Sequence, residues 1–577
     1  MQRDVTVPRA LESDSRTPSP GSMRKNADMC QQQTPADIQE ACYVTMEPQG
    51  CLGLSAPAQS AADGYDYIVI GSGPGGGLIA VNLAKAGYSV LILEAGDSSV
   101  ASGGGQYPPS ITWDFFVKHY EEDERNKKNN FVTWRARDGS YWVGNKNVPS
   151  DAKLLGIYHP RGATNYIVEL TNDTTWAASN MRKVFETIEK SNYLPSGTPG
   201  HGFNGWFQTN IDRATSVTGP VAGRYSSRDY ITETINTRQF PLTLSQDSLA
   251  TRIIFNTSSS KPHTTGVEYL VGKSLYKADA RYNAIGPKGE KRTVTARREV
   301  ILSGGCFNSP QLLKLSGIGP ADELRKFNIT ILVDSPGVGT NMQDNQEMPI
   351  VGTLRSQTGG FGPSGCVMYK TQHALYNERD MFLMQGPYAF RGFWPSNQSN
   401  HALPTDPAGI YGVSMVKQHP QNRAGTVKLL SADPQDVPEI NFNLFKQGRE
   451  TDMGAMKDTI AWVRRIYAKV AGSSGPITPR EPPCPNVQAN GACSDPKADE
   501  SWIKAQTFGH HPTSTCAIGR DGDKNDVSDS KFRVRGVNGL RVVDASAFPR
   551  IPGVFPVVAT FMVSQKASDI ILAELKG

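Results

Sequence analysis

A glycine-rich loop, Gly71-Ser-Gly-Pro-Gly-Gly76, limits what this chain can fold into more than any other stretch. Before it, Tyr65-Asp-Tyr-Ile-Val-Ile70 is a short apolar, β-branched run that reads as a buried strand. After it, Gly77-Leu-Ile-Ala-Val-Asn-Leu-Ala-Lys-Ala86 has a helical pattern ended by Gly87, and Ser89-Val-Leu-Ile-Leu-Glu94 reads as a second buried strand closing on an acid. A GxGxxG motif alone is weak. A strand before it, a helix after it and an acid 18 residues past Gly76 make it a βαβ nucleotide-binding unit. Gly71 permits the tight turn, Gly73 lets backbone approach a pyrophosphate, and Gly76 lets the helix pack on the strand. Ser72 and Gly77 complete the loop, whose helix N-terminus offers N–H groups and a positive dipole end to phosphates. Glu94 accepts hydrogen bonds from ribose hydroxyls, which disfavours a 2′-phosphate.

The rest of the 577 residues narrows the class. A formal charge of +5 with no basic face gives no sign of a nucleic-acid partner. No apolar run reaches the roughly 18 residues a membrane span needs. Residues 1–63 read as a polar, largely disordered tail without the apolar stretch of a signal peptide, so the cytoplasm is the default expectation. Two cysteine pairs, Cys42/Cys51 and Cys484/Cys493, and sequons at Asn172, Asn256, Asn328 and Asn397 leave secretion open. The Cys484/Cys493 loop reads equally as a disulfide or as two reduced thiols. No metal site is expected, since histidines are scattered apart from His510/His511 and the cysteine spacings do not suit zinc. No GxSxG nucleophile motif occurs.

Downstream, 176–190 reads as an amphipathic helix, and 242–256, 264–270 and 298–303 as strands. Ser309 and Pro310 are placed as N-cap and first turn of a helix. Residues 346–507 mix strands and loops with a long helix over 453–470. Near the C-terminus, Gly539-Leu-Arg-Val-Val-Asp-Ala-Ser546 ends a strand on Asp544, and 559–575 reads as a closing helix. A dinucleotide held by two such distant segments points to FAD rather than NAD, with the last helix's N-terminus favouring negative charge on a reduced flavin.

Five segments together resemble the glucose–methanol–choline (GMC) oxidoreductases over about residues 64–577: YDYIVIGSGPGGG with LILEAG, GIYHPRGAT (156–164), GGCFNSPQLLKLSGIG (304–319), GVGTNMQDN (337–345), and HHPTSTCAIG followed by GLRVVDASAFPRIPG. The resemblance implies an α/β fold. A doubly wound, Rossmann-like FAD domain is expected from 64–165, 242–345 and 508–577. A second, α+β substrate domain with an antiparallel sheet is expected from 166–241 and 346–507. It implies that a primary or secondary alcohol gives hydride to flavin N5 while a histidine takes the hydroxyl proton, with oxygen or a quinone-like acceptor reoxidising the flavin. An alkoxide is a better hydride donor than an alcohol, and neutral imidazole accepts a proton near physiological pH. His511 matches the catalytic histidine. His510, on the opposite face if the segment is a strand, is expected to be structural before it is a second acid/base. Ala250 matches a backbone contact to adenine. Asp544, Ala545, Pro556 and Val557 fall at the flavin end.

The chain departs from the family pattern at four places. Cys306 replaces a small residue and Asn345 a histidine. Val557 stands where relatives carry a second His or Asn. After Thr164 a Gly-Gly-Ser/Thr stretch that packs near the flavin is missing, and the chain runs directly into Asn165. The last two departures motivate an alternative, a flavin-binding homologue with lost or non-redox (cyclase or dehydratase) activity. Trp394, Phe393 and Tyr388 are candidates for an aromatic roof, with core packing the plainer reading. The substrate itself is not legible, and a role in secondary metabolism is one setting the resemblance leaves open.

Overall fold

The computed structural model describes residues 64–97, 113, 115, 117–128, 133–135, 141–143, 153–154, 167–209, 226–355, 365–375, 378–392 and 406–576. The 1–63 tail, the 156–164 signature with the stretch after it, Pro-flanked Phe393 and Trp394, and the Cys42/Cys51 pair lie outside them.

The βαβ unit forms where expected: β1 (Tyr65–Ile70), α1 (Gly76–Lys85) and β2 (Val90–Leu93). β1 and β2 pair in parallel from Tyr67↔Val90 to Ile70↔Leu93. The last four residues of β1 and all of β2 are buried, as a sheet covered on both faces requires. A Cβ on Gly76 would stand 2.0 Å from the Gly71 carbonyl oxygen and 2.9 Å from Val69 Cγ1, so only glycine lets α1 begin against the strand.

Residues 166–241 depart from expectation. Instead of joining the antiparallel sheet, α2 (Ala178–Ile188) and α3 (Ser227–Asn236) pack on the nucleotide-binding side. Ile167, Trp176, Met181 and Ile231 share one buried cluster with β1, α1 and β2. The amphipathic pattern gave the helix but not the sheet its apolar stripe would cover. Trp176 fixes the attachment, its indole N–H donating to the Ser530 carbonyl at 3.1 Å and its ring lying 5.4 Å from Phe532.

Four more strands follow: β3 (Leu242–Ser245), β4 (Ser248–Asn256), β5 (His263–Val271) and β6 (Glu290–Leu302). The order is β4–β5–β6–β1–β2–β3. β6 serves two neighbours: Glu290–Thr295 pair antiparallel with β5, and Ala296–Leu302 run parallel to β1.

The next helix, α4, spans Gly305–Leu315, so Ser309 and Pro310 sit inside it rather than at its start. Pro310 has no N–H to give the Cys306 carbonyl one turn back, the defect that normally keeps proline out of a helix. Here the Thr515 hydroxyl donates to that carbonyl at 2.7 Å. A partner distant in sequence thus rescues a position that local rules assign to a first turn.

The second sheet is antiparallel throughout, built from β7 (Glu347–Thr353), β8 (Gly365–Tyr369), β9 (Met381–Gly386), β10 (Ile410–Lys417) and β11 (Thr478–Glu481) in the order β8–β9–β10–β7–β11. A long helix, α5 (Arg449–Lys469), covers it with a stripe of Met453, Met456, Ile460, Val463 and Tyr467 at helical spacing. Arg464, buried on the same helix, makes a two-pronged ion pair of 2.7 and 2.8 Å with Asp499 of α6 (Pro496–Gln506). Cys484 and Cys493 are joined as a disulfide.

The C-terminal segment then returns to the first sheet. β12 (Leu540–Val542) lies parallel beside β6 as the seventh strand, and α7 (Val557–Glu574) packs on α1, where Asn82 donates to Gln565 and Ser568, each at 3.0 Å.

Candidate active site

Between the first strands and the returning C-terminus lies a cavity of about 590 Å³. Its size suits a large ligand, since small-molecule sites run to roughly 300–1,000 Å³. Gly71, Ser72, Gly73, Pro74 and Gly75 line one wall with Glu94 and Ala250, while Cys306, Pro512, Asp544, Ala545, Val557 and Thr560 line another. The structure thus brings together most of the residues singled out as cofactor contacts. Gly76 and Gly77 stand behind the loop: a Cβ on Gly77 would meet Ser227 Cβ at 2.7 Å. Pro556 caps the start of α7, its carbonyl accepting from the Thr560 amide and hydroxyl.

The glycines divide by what confronts them. Gly71, at φ +97°, occupies backbone space that side chains avoid, and a Cβ there would lie 2.4 Å from the Ser303 carbonyl oxygen. On Gly75 a Cβ would lie 2.0 Å from the carbonyl oxygen of Val543. On Gly73 it would meet no protein atom within 4 Å. This cradle, open at Gly73 and at a helix start, fits a pyrophosphate.

Two acids are used differently from expectation. One Glu94 oxygen accepts from the Ser72 amide at 2.8 Å and hydroxyl at 2.6 Å, and the other accepts from the Gly96 amide at 2.8 Å. Glu94 therefore shapes the loop as well as facing the cavity. The Asp544 carboxylate, fully buried, is engaged within the protein. One oxygen accepts from the Gly305 amide at 2.9 Å and the Ser309 hydroxyl at 2.6 Å, and the other from the amide and hydroxyl of Ser546 at 2.7 and 2.5 Å. Burial raises its pKa, and those four donors work against the rise. Asp544 ties β12 to the start of α4 and so holds the far wall. Ala250 sits at an irregularity in the β4–β5 pairing, which sets its backbone apart from the regular ladder.

His510 and His511 correct a second expectation. Residues 509–512 are not a strand, and the two rings lie 4.0 Å apart rather than on opposite faces. His511 is 2% exposed, next to cavity-lining Pro512, with its ring 5.2 Å from Phe555. Its amide donates to Asp344 Oδ1 at 2.8 Å. A Cβ on Gly509 would stand 1.8 Å from Asp344 Oδ2, so glycine there lets the loop close over this carboxylate. Nε2 of His510 lies 2.7 Å from Oε2 of Glu347. The Ser414 hydroxyl donates to the other Glu347 oxygen. Donor atoms of Glu347, His510 and His511 all fall within 4.8 Å of one another, the one such group among the described residues. Asn345 turns away, its amide donating to the carbonyls of Lys417 and Gln418 at 3.0 and 2.9 Å. Burial pushes the Cys306 thiol well above its ordinary pKa; it donates to the Pro512 carbonyl at 2.8 Å and braces the loop behind His511.

Sequence reasoning missed Glu347, Ser414 and Asp344. Asp344 lay inside a segment already singled out, whereas nothing in the spacing of Glu347 or Ser414 ties them to a histidine far along the chain. Tyr388 is half-buried, and burial pushes its phenol up to about 12.

Residues 223–347 and 420–564 match the two GMC oxidoreductase family models. Among curated relatives, a glucose methanol choline oxidoreductase of Aspergillus terreus is 27% identical over 88% of this chain and 93% of its own. An oxygen-dependent choline dehydrogenase of Rhizobium etli is 28% identical over 88% and 96%. Solved structures share the fold: formate oxidase of Aspergillus oryzae at TM-score 0.64, with 20% identity over 89% of this chain and 98% of that one, and a fungal aryl-alcohol oxidase at 0.62, with 16% identity over 89% and 100%. The chain belongs to the GMC oxidoreductase family. It is an FAD-dependent oxidoreductase, with the mixed α/β fold of that family.

Proposed function

We propose that this protein oxidises a primary or secondary alcohol to the carbonyl, with His511 taking the hydroxyl proton. The carrying observation is that one cavity joins the Gly71–Gly75 loop to Pro512, Ala545 and Val557, with His511 beside Pro512. FAD, when bound, supplies the hydride acceptor. In this reading the loop amides and the start of α1 hold its pyrophosphate, Glu94 and Ala250 face its adenosine half, and Ala545 and Val557 border its ring. Asp344 fixes the backbone of His511, and the buried walls keep water from the proton being moved.

Curated relatives named for choline oxidation, and a solved one named for aryl alcohols, support an alcohol as substrate. Oxygen or a quinone-like acceptor would reoxidise the flavin. The Cys484–Cys493 disulfide supports residence in an oxidising compartment. A second reading, a homologue with lost or non-redox chemistry, rests on Val557, a hydrocarbon side chain on the cavity wall.

Anaerobic mixing with choline, benzyl alcohol and aliphatic alcohols separates the two readings. Bleaching of the flavin band near roughly 450 nm, the usual flavin range, supports oxidation. His511→Ala should slow that bleaching by about 10²–10⁴-fold, the usual share of a general base. Unchanged bleaching in the variant removes His511 from the mechanism, and a flavin-loaded protein that no alcohol reduces favours the second reading.

A further inference from the structure

Val557 offers no polar atom at the cavity wall, while two imidazoles and a carboxylate meet at His511, the residue before cavity-lining Pro512. Glu347 opens β7 with its side chain 1% exposed, and His510 retains 14%. A carboxylate that deep is costly unless matched by hydrogen bonds and an opposite charge. Ser414 supplies a neutral hydrogen bond from β10, and His510 supplies an ionisable partner at 2.7 Å. Phe508 and Phe390 pack against the His510 ring at 5.9 Å each, which holds the local dielectric low. The other titratable groups recorded around this cluster are Asp344, which holds the His511 amide, the Tyr388 phenol, whose pKa Glu347 helps to raise, and the Cys306 thiol behind Pro512.

We propose that Glu347, His510 and His511 act as one proton-holding unit, in which Glu347 is the counter-charge for the imidazolium and His510 is a positioning residue doing what a polar side chain at 557 would do. The proposal rests on the alcohol-oxidation reading. Its proton balance closes within the protein. The alcohol O–H bond breaks, one N–H bond forms on the His511 imidazole, and the new imidazolium is matched by the Glu347 carboxylate. This is the logic of a buried acid that orients an imidazole and stabilises its charged form without itself being protonated.

Ring ¹⁵N NMR of the histidine-labelled, FAD-loaded protein gives a test that needs no substrate. The signals of residues 510 and 511 are assigned by their loss in His510→Gln and His511→Gln. Glu347 Oε2 lies 2.7 Å from His510 Nε2, so at one fixed pH Glu347→Gln should move the ring ¹⁵N signals of both histidines. Glu347→Asp, which keeps the charge, should restore them. With benzyl alcohol or choline as reductant, Glu347→Gln and His510→Gln should each slow flavin reduction by about 10–100-fold, as loss of an orienting partner does. The double variant should be no slower than the worse single, because the residues act as a unit. Should Glu347→Gln misfold, His510→Gln alone decides, through the His511 ring signal. Unmoved ring signals in folded, flavin-loaded variants, with reduction within twofold of the parent, overturn the proposal. Failure of His511→Ala to slow reduction would instead overturn the function reading and leave the NMR result standing.

Discussion

Replacing Gly73 and Gly76 in turn by alanine separates the two jobs of the loop. At Gly76 the new methyl would lie 2.0 Å from the Gly71 carbonyl oxygen, 2.9 Å from Val69 Cγ1 and 3.0 Å from Ser303 Cβ. An ordinary contact needs about 3.4 Å or more, so α1 must retreat by about 1 Å from a sheet packed on both faces. Overpacking of this kind costs about 1–3 kcal/mol, and the backbone oxygen cannot swing aside as a side chain would. At Gly73 the same methyl meets no protein atom within 4 Å, so the flavin-free fold should not register it. A bound pyrophosphate would. The same 1–3 kcal/mol then appears as about 5- to 150-fold weaker FAD binding. Thermal unfolding of the flavin-free protein, paired with fluorescence titration by FAD, reads both quantities. Gly76→Ala should unfold several degrees lower before FAD is added, and Gly73→Ala should unfold with the parent yet bind FAD weakly. The reasoning fails if Gly73→Ala destabilises the flavin-free protein as much as Gly76→Ala, or if it binds FAD like the parent.

Three further outcomes follow from contacts elsewhere. Asp499→Ala strands the buried Arg464 guanidinium and should cost about 3–5 kcal/mol in urea unfolding, with Asp499→Asn retaining part of the loss; a cost under about 1 kcal/mol would show that water reaches the site. Burial raises Glu574, but hydrogen bonds from Arg533 and Arg541 outweigh it and hold its pKa down to about 2. Its stabilising share is therefore full above the ordinary glutamate range of about 4.3 and is lost as pH falls toward about 2, so Glu574→Gln should lower the unfolding temperature at pH 7 and narrow its gap to the parent in acid. Brief iodoacetamide treatment, read by peptide mapping, should label exposed Cys366 and spare Cys306 and Cys516, whose thiols are buried and pushed up in pKa by that burial.

What the sequence made legible was chiefly local. β1, α1 and β2 are specified by contiguous apolar runs and three glycines: Gly76 packs against the strand as its position implied, Gly71 takes a positive φ, and Gly73 faces no protein atom within 4 Å. The start of α4 was misplaced because Pro310 obeys a local rule that Thr515 overrides from far along the chain. His510 was turned the wrong way by an assumed strand, when the loop at Gly509 folds around Asp344. The placement of α2 and α3 depended on which of two apolar surfaces they meet, and an amphipathic stripe does not say. Glu347 was invisible for the same reason: its partner is a histidine that only tertiary structure brings near.

The late return of β12 has a consequence for how the enzyme is made. Gly75 packs against Val543, and Asp544 clasps the first turn of α4, so the wall opposite the glycine loop is made long after the loop itself. The opening βαβ unit must wait, its parallel neighbours incomplete, while most of the polypeptide is translated. Capture of the prosthetic group is thus expected only once β12 has been made, and a chain stopped short of β12 would remain without the means to retain it.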